Sequence, residues 1–591
     1  MPGLPAPASL LRPAVLWPLL VMLCAAAYLL GLGGPYAPTN GDEMVYIHIA
    51  RMTAESGHWL PLQSELADTR NTKPPLLIWQ AMVAGGWGQH WSLLALRLPS
   101  VLYTFATTGL LAFFAWRISG RQRTAWLAAA IYLLCFSTFR YGRAYLTSAP
   151  ETFWLALPMW WALWLQLQQR RPNWMAFGLM GVAMGLGAAY KSFALVAPAA
   201  AALWCALLPG SRTWAKPFQT KALGPWRELL RCTAGVALSA AIGLAIFALW
   251  FALDPDPAAV WQEFVVAENA GKMSTPQGYW YAALFGTYPM WTQLLAYPIN
   301  AGLLLFVGLG WMAFLLRRAV VRATYAALSP AHGVLLAWLL VWLIVFTIPS
   351  QRSERYLIPA MPAFAIVLAL IWDRMSRWGF VATLLLLAPA LVMIGRIAWV
   401  IGGMDVGSPD GLAFTLLVVA CGLAAIGLGL GHAAWTRNAT LVAVLAVYGG
   451  FTLMTQPLSS PQAGYAPEVR AALQGKRLAV PNGFTGQYER YHFALPGARI
   501  TPFDAEGRNT GAYYPDMPRA QRLDRLLHEF DAVAWLQDSP QELQASCLPQ
   551  CRLLGQRWHV KTRHRSGEIT LSNLWYPQEW LFRREWLLAN P

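Results

Sequence analysis

The stretch AVLWPLLVMLCAAAYLLGLGGPYAPTNGDEMVYIHIARM, residues 14–52, begins with an uncharged apolar run (14–33) and then turns polar at an Asp-Glu pair. At about 1.5 Å per helical residue such a run crosses a hydrocarbon core roughly 30 Å thick. Past the run the hydrophobic period changes. Residues 41–56 put Val45, Ile49 and Met52 on one face, and Gly57 supplies a stop. That pattern predicts an amphipathic helix lying at the membrane surface.

The same kind of run recurs along the chain. Spans are expected near 14–33, 98–116, 124–140, 152–168, 174–190, 193–209, 232–252, 291–316, 333–349, 357–372, 378–400, 412–430 and 439–456. The pair flanking Lys191 is also readable as one long broken segment. Of the 591 residues 57% are hydrophobic and 12% charged, against about 25% charged in soluble domains. The fold class is therefore an α-helical polytopic membrane protein with about thirteen transmembrane helices. The first run shows no small-residue cleavage site, so it reads as a retained span.

Orientation follows from the short basic connections. RISGRQR (117–123), QQRRP (168–172), the basic stretch 211–231, LRRAVVR (316–322), DRMSR (373–377) and WTR (435–437) all fall on one face. That face is cytoplasmic, which puts the N-terminus inside and the tail after 456 outside. Before residue 460 only Glu228 and Asp373 among the acids lie on the basic face, so the outer face collects the polar chemistry. The net charge of +16 comes mainly from residues that punctuate the apolar runs, and no nucleic-acid partner is expected.

Two domains are expected. Residues 1–460 form a transmembrane domain whose long outer loops, 34–97 and 253–290, carry interfacial helices. Residues 461–591 form a small periplasmic α/β domain with strand-like runs KRLAVP (476–481) and DAVAWL (531–536). On an oxidising face, Cys547 and Cys551 of CLPQC read as a disulfide-closed loop. Zinc wants four ligands and only His559 and His564 lie near, so no metal site is assigned. The other five cysteines sit in or at the ends of spans and read as packing residues. The ending WYPQEWLFRREWLL (575–588) reads as an aromatic, cationic segment lying on the membrane.

The acidic pair has two readings. Asn40 as cap and Glu43 three residues later complete a capping box, and acids suit a helix N-terminus. Asp42 is not needed for that cap and is a candidate general base. Downstream, NTKPPLLIWQ (71–80), RYGRAYLTSAPETFW (140–154), AAYKSFALVAP (188–198), ENAGKMSTPQGYWY (268–281) and SQRSERYLIPAMP (350–362) each place cations at the outer end of a span. Lys73 by itself reads as a snorkelling interfacial lysine. Together, Lys73, Arg143, Lys272, Arg352 and Arg355 form a set that topology does not explain and an anionic lipid headgroup does. Phosphate takes several charge-assisted donors.

The order of these blocks (the Asp-Glu pair, KPP, RLPS at 97–100, a Tyr-Lys turn, a Lys-containing loop and RYLIPAMP) resembles the membrane glycosyltransferases of the protein O-mannosyltransferase and lipid A aminoarabinose transferase superfamily. The resemblance covers most of residues 13–460. It implies the C-type glycosyltransferase fold and a polyprenyl-phosphate sugar donor. Asp42 then matches the family's catalytic acid, with Glu43 beside it, and Tyr46 its nearby tyrosine. Lys73 and Lys272 match phosphate-binding positions, and Arg352 stands before the Tyr-x-x-Pro block. Glu151 and Glu268 join Tyr46 as positioning residues. Val45, Thr72 and Ser148 depart from the family's pattern and leave the acceptor open.

The expected function is glycosyl transfer from a polyprenyl-phosphate sugar to a lipid A-like, protein or glycan acceptor at the outer face of a bacterial inner membrane, with inversion. The donor phosphate is expected on Lys73, Lys272, Arg352, Arg355 and Arg143. The residues demand no cofactor, and a divalent cation bridging acids and phosphate is compatible with them. Expected partners are the donor, the acceptor and membrane lipids, with the chain a monomer. A lipid-linked sugar flippase would place charges near span midpoints and show repeat symmetry, whereas here Arg396 alone departs mildly from span ends. A non-catalytic envelope assembly protein is the third reading.

Overall fold

In lipid a backbone must satisfy its own donors and acceptors, so an apolar run becomes a helix. The computed structural model describes residues 13–36, 41–66, 69–208, 225–273, 278–320, 329–460, 463–483, 486–504, 517–539, 550–561 and 567–591, with 542, 544, 545 and 547 besides. Every apolar run of the sequence falls on helix. The segments are Pro13–Leu29, Leu93–Ser119, Gln122–Leu134 with Phe136–Tyr141, Ser148–Gln168, Trp174–Tyr190, Val196–Leu207, Pro225–Leu253, Ala296–Ala301 with Leu305–Val320, Pro330–Thr347, Met361–Ile371, Arg377–Gly402, Pro409–Gly431 and Thr436–Thr455. Among the described residues, 8 helices are long and apolar enough to cross a membrane, and Val15–Leu29, Trp174–Tyr190 and Phe193–Leu207 are apolar but shorter. The chain is a multi-pass α-helical membrane protein.

Near Lys191 there are two helices rather than one broken segment. Lys191 leaves the helical region at φ −141°, ψ −57°, and Ser192 caps the turn that begins the next helix. The Trp174–Tyr190 helix packs closely on Pro225–Leu253 through small residues. A Cβ on Gly181 would lie 2.7 Å from the Ser239 carbonyl, and one on Gly185 2.7 Å from Ile246 Cβ. Close backbone approach through small residues is the usual means of helix association in lipid.

The surface helix runs Gly41–Glu55 and stops before Gly57, which takes φ 74°. Its register is fixed by Glu43, whose side chain is fully buried. Arg97 grips both carboxylate oxygens at 2.7 and 2.8 Å, and the Tyr145 amide donates to one of them at 2.8 Å. The remaining Arg97 nitrogen donates to the carbonyls of Leu32 and Gly34 at 2.7 and 2.8 Å. One ion pair thus ties together the end of the first helix, the surface helix, the Leu93–Ser119 helix and the turn after Tyr141. The Glu43 carboxylate faces Arg97, not a cap; Asn40, the expected cap, lies outside the described residues.

The tail builds a five-stranded sheet in the order β2-β1-β3-β5-β4. Its strands are β1 Arg477–Pro481, β2 Arg499–Phe503, β3 Ala532–Leu536, β4 Arg552–Val560 and β5 Phe582–Ala589. β1 pairs with β2 and β3 in parallel, while β5 pairs antiparallel with β3 and β4. Alternate residues bury on opposite faces, as strand geometry requires. Ala479, Val533 and Trp586 pack with Leu523 and Leu527, whereas Leu478, Val480 and Leu587 pack with Tyr465, Tyr488 and Tyr491. Cys547 and Cys551 are bonded.

The second half of the expected membrane-surface segment at 575–588 is instead sheet. Residues 582–589 are strand β5, which lies between β3 and β4. Glu585 within it is fully buried and accepts from Tyr465 and Tyr491 at 2.7 and 2.6 Å and from Arg557.

The sheet is tied to the membrane helices by charge. Glu489 accepts from Arg51 of the surface helix at 2.6 Å and lies 3.1 Å from His48 Nδ1. The Glu65 amide donates to His48 Nε2 at 3.2 Å, so Nδ1 carries the proton toward Glu489. Gly486, at φ 76°, lets this turn sit on the helix, because a Cβ there would come 3.1 Å from Val45 Cγ2. Asp405 accepts from Trp558 and, at 3.1 Å, from Arg584.

Removing one partner of a buried pair leaves the other charge stranded, at about 3–5 kcal/mol. Glu43→Ala is therefore expected to lower Tm and yield sharply while Asp42→Asn leaves both near wild type, measured by thermal unfolding in detergent. A second expected outcome concerns acid. Burial holds His492 and His559 below the usual imidazole pKa, so their contribution is complete above about pH 6.5 and erodes as pH falls below it. Burial opposes ionisation of Glu489 and Glu585, but the hydrogen bonds of His48 and Arg51, and the Arg557 charge, win and bring both pKa values to about 2. Their contribution is complete above about 4.5 and is lost as pH falls toward 2. Tm is expected to fall from pH 6.5 downward, with a smaller loss below 4.5 in Glu585→Gln.

Candidate functional site

Three separate connections each deliver one cation to the neighbourhood of Tyr46. Lys73 precedes the Pro74-Pro75 pair, and a residue before proline is held extended while proline suits a helix start; the Pro75–Ala84 helix begins there. Its ammonium donates to the Thr72 carbonyl at 2.7 Å and to Glu268 at 2.9 Å, and lies 5.8 Å from the Tyr46 ring centroid. Lys191, at the break between two helices, pairs with the fully buried Glu151 at 2.8 Å and lies 5.6 Å from the Tyr356 ring centroid. Arg355 sits in the turn capped by Ser353. Its guanidinium lies 4.7 Å from the Tyr141 ring centroid and contacts Asp42 at 3.4 Å.

The loop that carries Glu268 is held against the other two. The Asn71 amide donates to Glu263 at 3.1 Å, and Ser192 donates to Asn269 at 2.9 Å. These groups feel one another. Burial lowers the Lys191 pKa; Glu151 opposes the shift, while the Arg355 and Lys73 charges add to it. Burial, and after it the Asp42 charge, push the Tyr46 phenol well above its usual value, so it remains a neutral donor. The assembly is a patch of positive charge lined by tyrosines, with carboxylates interleaved.

Two neighbouring acids have opposite situations. The Asp42 side chain is 46% exposed and touches the patch through Arg355. Glu43, expected beside Asp42 as catalytic, is fully buried with both carboxylate oxygens held by Arg97. Two of the expected phosphate ligands are likewise spent on backbone carbonyls. Arg143 donates to Tyr28 and Leu30 at 3.1 and 2.5 Å and closes the end of the first helix. Arg352 donates to Thr347 and Tyr288 at 2.7 and 3.0 Å. The side chain of Lys272 lies outside the described residues. The cations that the structure brings together are thus Lys73, Arg355 and one absent from the set expected from sequence, Lys191. Its signal was present in AAYKSF, a lysine at a helix break, but nothing ranked it above Arg143. Tyr46, Glu151 and Glu268 stand in the cluster.

On its other side Asp42 borders a cavity of about 650 Å³. The membrane portion contributes Met44, Trp91 and Arg140 to its wall, and the sheet region contributes Arg470, Arg490 and Arg557. Arg470 Nε and Arg490 Nε are buried without a hydrogen-bond partner among the described residues. This wall is not legible in the sequence, because it depends on how the sheet docks. Among the described residues no group of three His, Cys, Asp or Glu side chains gathers as metal ligands.

Comparison with known proteins agrees with this architecture. Residues 37–256 match the family described as dolichyl-phosphate-mannose-protein mannosyltransferase. Over 367 residues the chain is 27% identical to the undecaprenyl phosphate-alpha-4-amino-4-deoxy-L-arabinose arabinosyl transferase of Pectobacterium atrosepticum, covering 59% of this chain and 58% of that protein. The match therefore spans less than two thirds of that relative. The same-named protein of Erwinia tasmaniensis aligns at 25% identity over 532 residues, 85% of this chain and 87% of its own. The crystal structure of ArnT from Cupriavidus metallidurans bound to undecaprenyl phosphate superposes with a TM-score of 0.56 at 17% identity, covering 98% of this chain and 100% of that one, which establishes a shared fold. Residues 37–256 thus match the dolichyl-phosphate-mannose-protein mannosyltransferase family, and the chain as a whole shares the fold of ArnT.

Proposed function

We propose that the protein transfers a glycosyl group from a polyprenyl-phosphate-linked sugar to a lipid A-like acceptor at the outer face of a bacterial inner membrane. The observation that carries this reading is the position of Asp42, with the Lys73–Lys191–Arg355 patch on one side and the arginine-walled cavity on the other. The patch suits the donor phosphate and the cavity suits an anionic acceptor headgroup. A carboxylate at their boundary suits sugar transfer between them, as a base for a hydroxyl acceptor or as a group that orients the donor sugar.

In this reading the isoprenoid tail lies between spans and the phosphate rests on Lys73, Lys191 and Arg355. As the bond from the anomeric carbon to the phosphate oxygen breaks, charge grows on the departing polyprenyl phosphate. Cations already in place stabilise it without reorganising. Where the acceptor is a hydroxyl, Asp42 takes its proton as the new glycosidic bond forms with inversion. Where it is a phosphate, no base is needed and Asp42 orients the donor sugar. Glu151 and Glu268 hold the two lysines, and Tyr46 donates from between them. The reading includes thirteen crossings, the N-terminus in the cytoplasm, residues 461–591 as a periplasmic domain, and a monomer.

The decisive test is transfer in membranes supplied with a polyprenyl-phosphate sugar. Asp42→Asn and Lys73→Ala are each expected to abolish product while expression and Tm stay near wild type; Lys191→Met is expected to abolish it with a lowered Tm, because Glu151 is left stranded. Near-wild-type transfer by Asp42→Asn and Lys73→Ala would refute the assignment. Arg470→Ala is expected to raise the acceptor KM severalfold and leave the donor KM unchanged. Movement of the donor KM alone would reverse the assignment of the patch and the cavity.

A further inference from the structure

Strands β4 and β5 are joined by a connection whose described part, 567–581, lies along the Arg377–Gly402 helix. The contact is specific. Arg396 Nε donates to the Trp575 carbonyl at 2.9 Å, and its guanidinium lies 5.5 Å from the Trp575 ring centroid. Arg396 precedes the end of that membrane-spanning helix at Gly402 by six residues, about 9 Å along the axis at about 1.5 Å per residue. Val392 and Trp399, which share its face of the helix by their spacing, are exposed in the protein. That face looks toward lipid.

The connection presents apolar groups at this depth. Leu571 is 81% exposed and Ile569 63%, with Trp575 and Tyr576 half-exposed beside them. It is a built loop. Thr570 caps the Leu571–Trp575 turn by accepting from the Asn573 amide at 3.1 Å, Asn573 donates to the Glu568 carbonyl at 2.7 Å, and Trp580 donates to the Asn573 carbonyl. Lys561 and Glu568 pair at 2.9 Å at its base.

We infer that residues 568–576 are a membrane anchor of the sheet region, whose apolar tip enters the leaflet on that side and whose partner is phospholipid. Continuity with the lipid-facing side of Arg377–Gly402 selects this occupant. Trp and Tyr at its edge are the residues that favour the interface. The arrangement also accounts for Arg396. A lone guanidinium on a lipid-facing helix is costly, and the loop supplies it with a carbonyl and a ring. Since β4 carries Arg557 and Trp558 to the cavity wall, a loop fixed in the leaflet holds that wall in place. The inference rests on the membrane-spanning fold and not on the proposed transfer.

The test uses the full chain in phosphatidylethanolamine/phosphatidylglycerol nanodiscs containing a small fraction of phospholipid with an acyl-chain diazirine. After irradiation, peptide mass spectrometry is expected to find lipid adducts on tryptic peptide 566–583 at levels comparable with peptides of the lipid-facing spans. The double variant Ile569→Glu/Leu571→Glu is expected to lose them severalfold. Labelled spans with an unlabelled 566–583 in the wild-type protein would overturn the inference, whether or not the variant folds. Unchanged labelling in a folded variant would overturn it too.

Discussion

A cation drawn away from water needs a counter-charge or a set of hydrogen-bond acceptors, and this constraint organises the membrane edge of the protein. Lys73, Lys191 and Arg355 arrive on three connections that are distant in sequence, and each meets a carboxylate from yet another segment: Glu268, Glu151 and Asp42. The carboxylates do two things. They offset the burial of the cations, and they hold them where, in the proposed reading, a phosphate takes over the same donors. The patch is therefore prepared before any ligand arrives, which is the condition under which electrostatic stabilisation of a leaving phosphate is most effective.

A second, structural layer stands behind the first. Glu43 with Arg97, Arg143 with the carbonyls of Tyr28 and Leu30, and Arg352 with those of Thr347 and Tyr288 use the same residue types to fix helix ends. Helix termini leave carbonyls without intrahelical partners, and in a membrane protein a buried arginine is an economical way to satisfy them. Glu489, gripped by Arg51 and His48, extends this layer to the sheet. Asp42, one residue before Glu43 on the same helix, inherits its position from that framework, where it contacts Arg355 and lines the cavity.

Much of this was legible in the sequence, and the limits are physical. The helices were readable because lipid leaves a long apolar run no other regular structure, and the strands at 477–481 and 532–536 because short apolar runs flanked by turns have few alternatives. The division of labour between Asp42 and Glu43 was not readable. Consecutive helix positions point about 100° apart, and which direction faces the core depends on Arg97, fifty-four residues on. Arg143 and Arg352 carry the same mark as Arg355, a cation at a span end, and only the third dimension shows which guanidinium meets carbonyls. The aromatic and cationic composition of the ending hid strand β5, FRREWLLA, for a similar reason. Its buried acid is satisfied by Arg557 of the neighbouring strand and by Tyr465 and Tyr491, none of which is near in sequence.

The account's central claim is that Lys73, Lys191 and Arg355 hold a lipid-borne phosphate within reach of Asp42. A cryo-EM map of the full chain in nanodiscs with bound undecaprenyl phosphate tests it most directly. The account predicts headgroup density within hydrogen-bond distance of Lys73 Nζ, Lys191 Nζ and the Arg355 guanidinium, with the tail leaving between spans. Headgroup density away from all three cations, for example in the arginine-walled cavity, would contradict it.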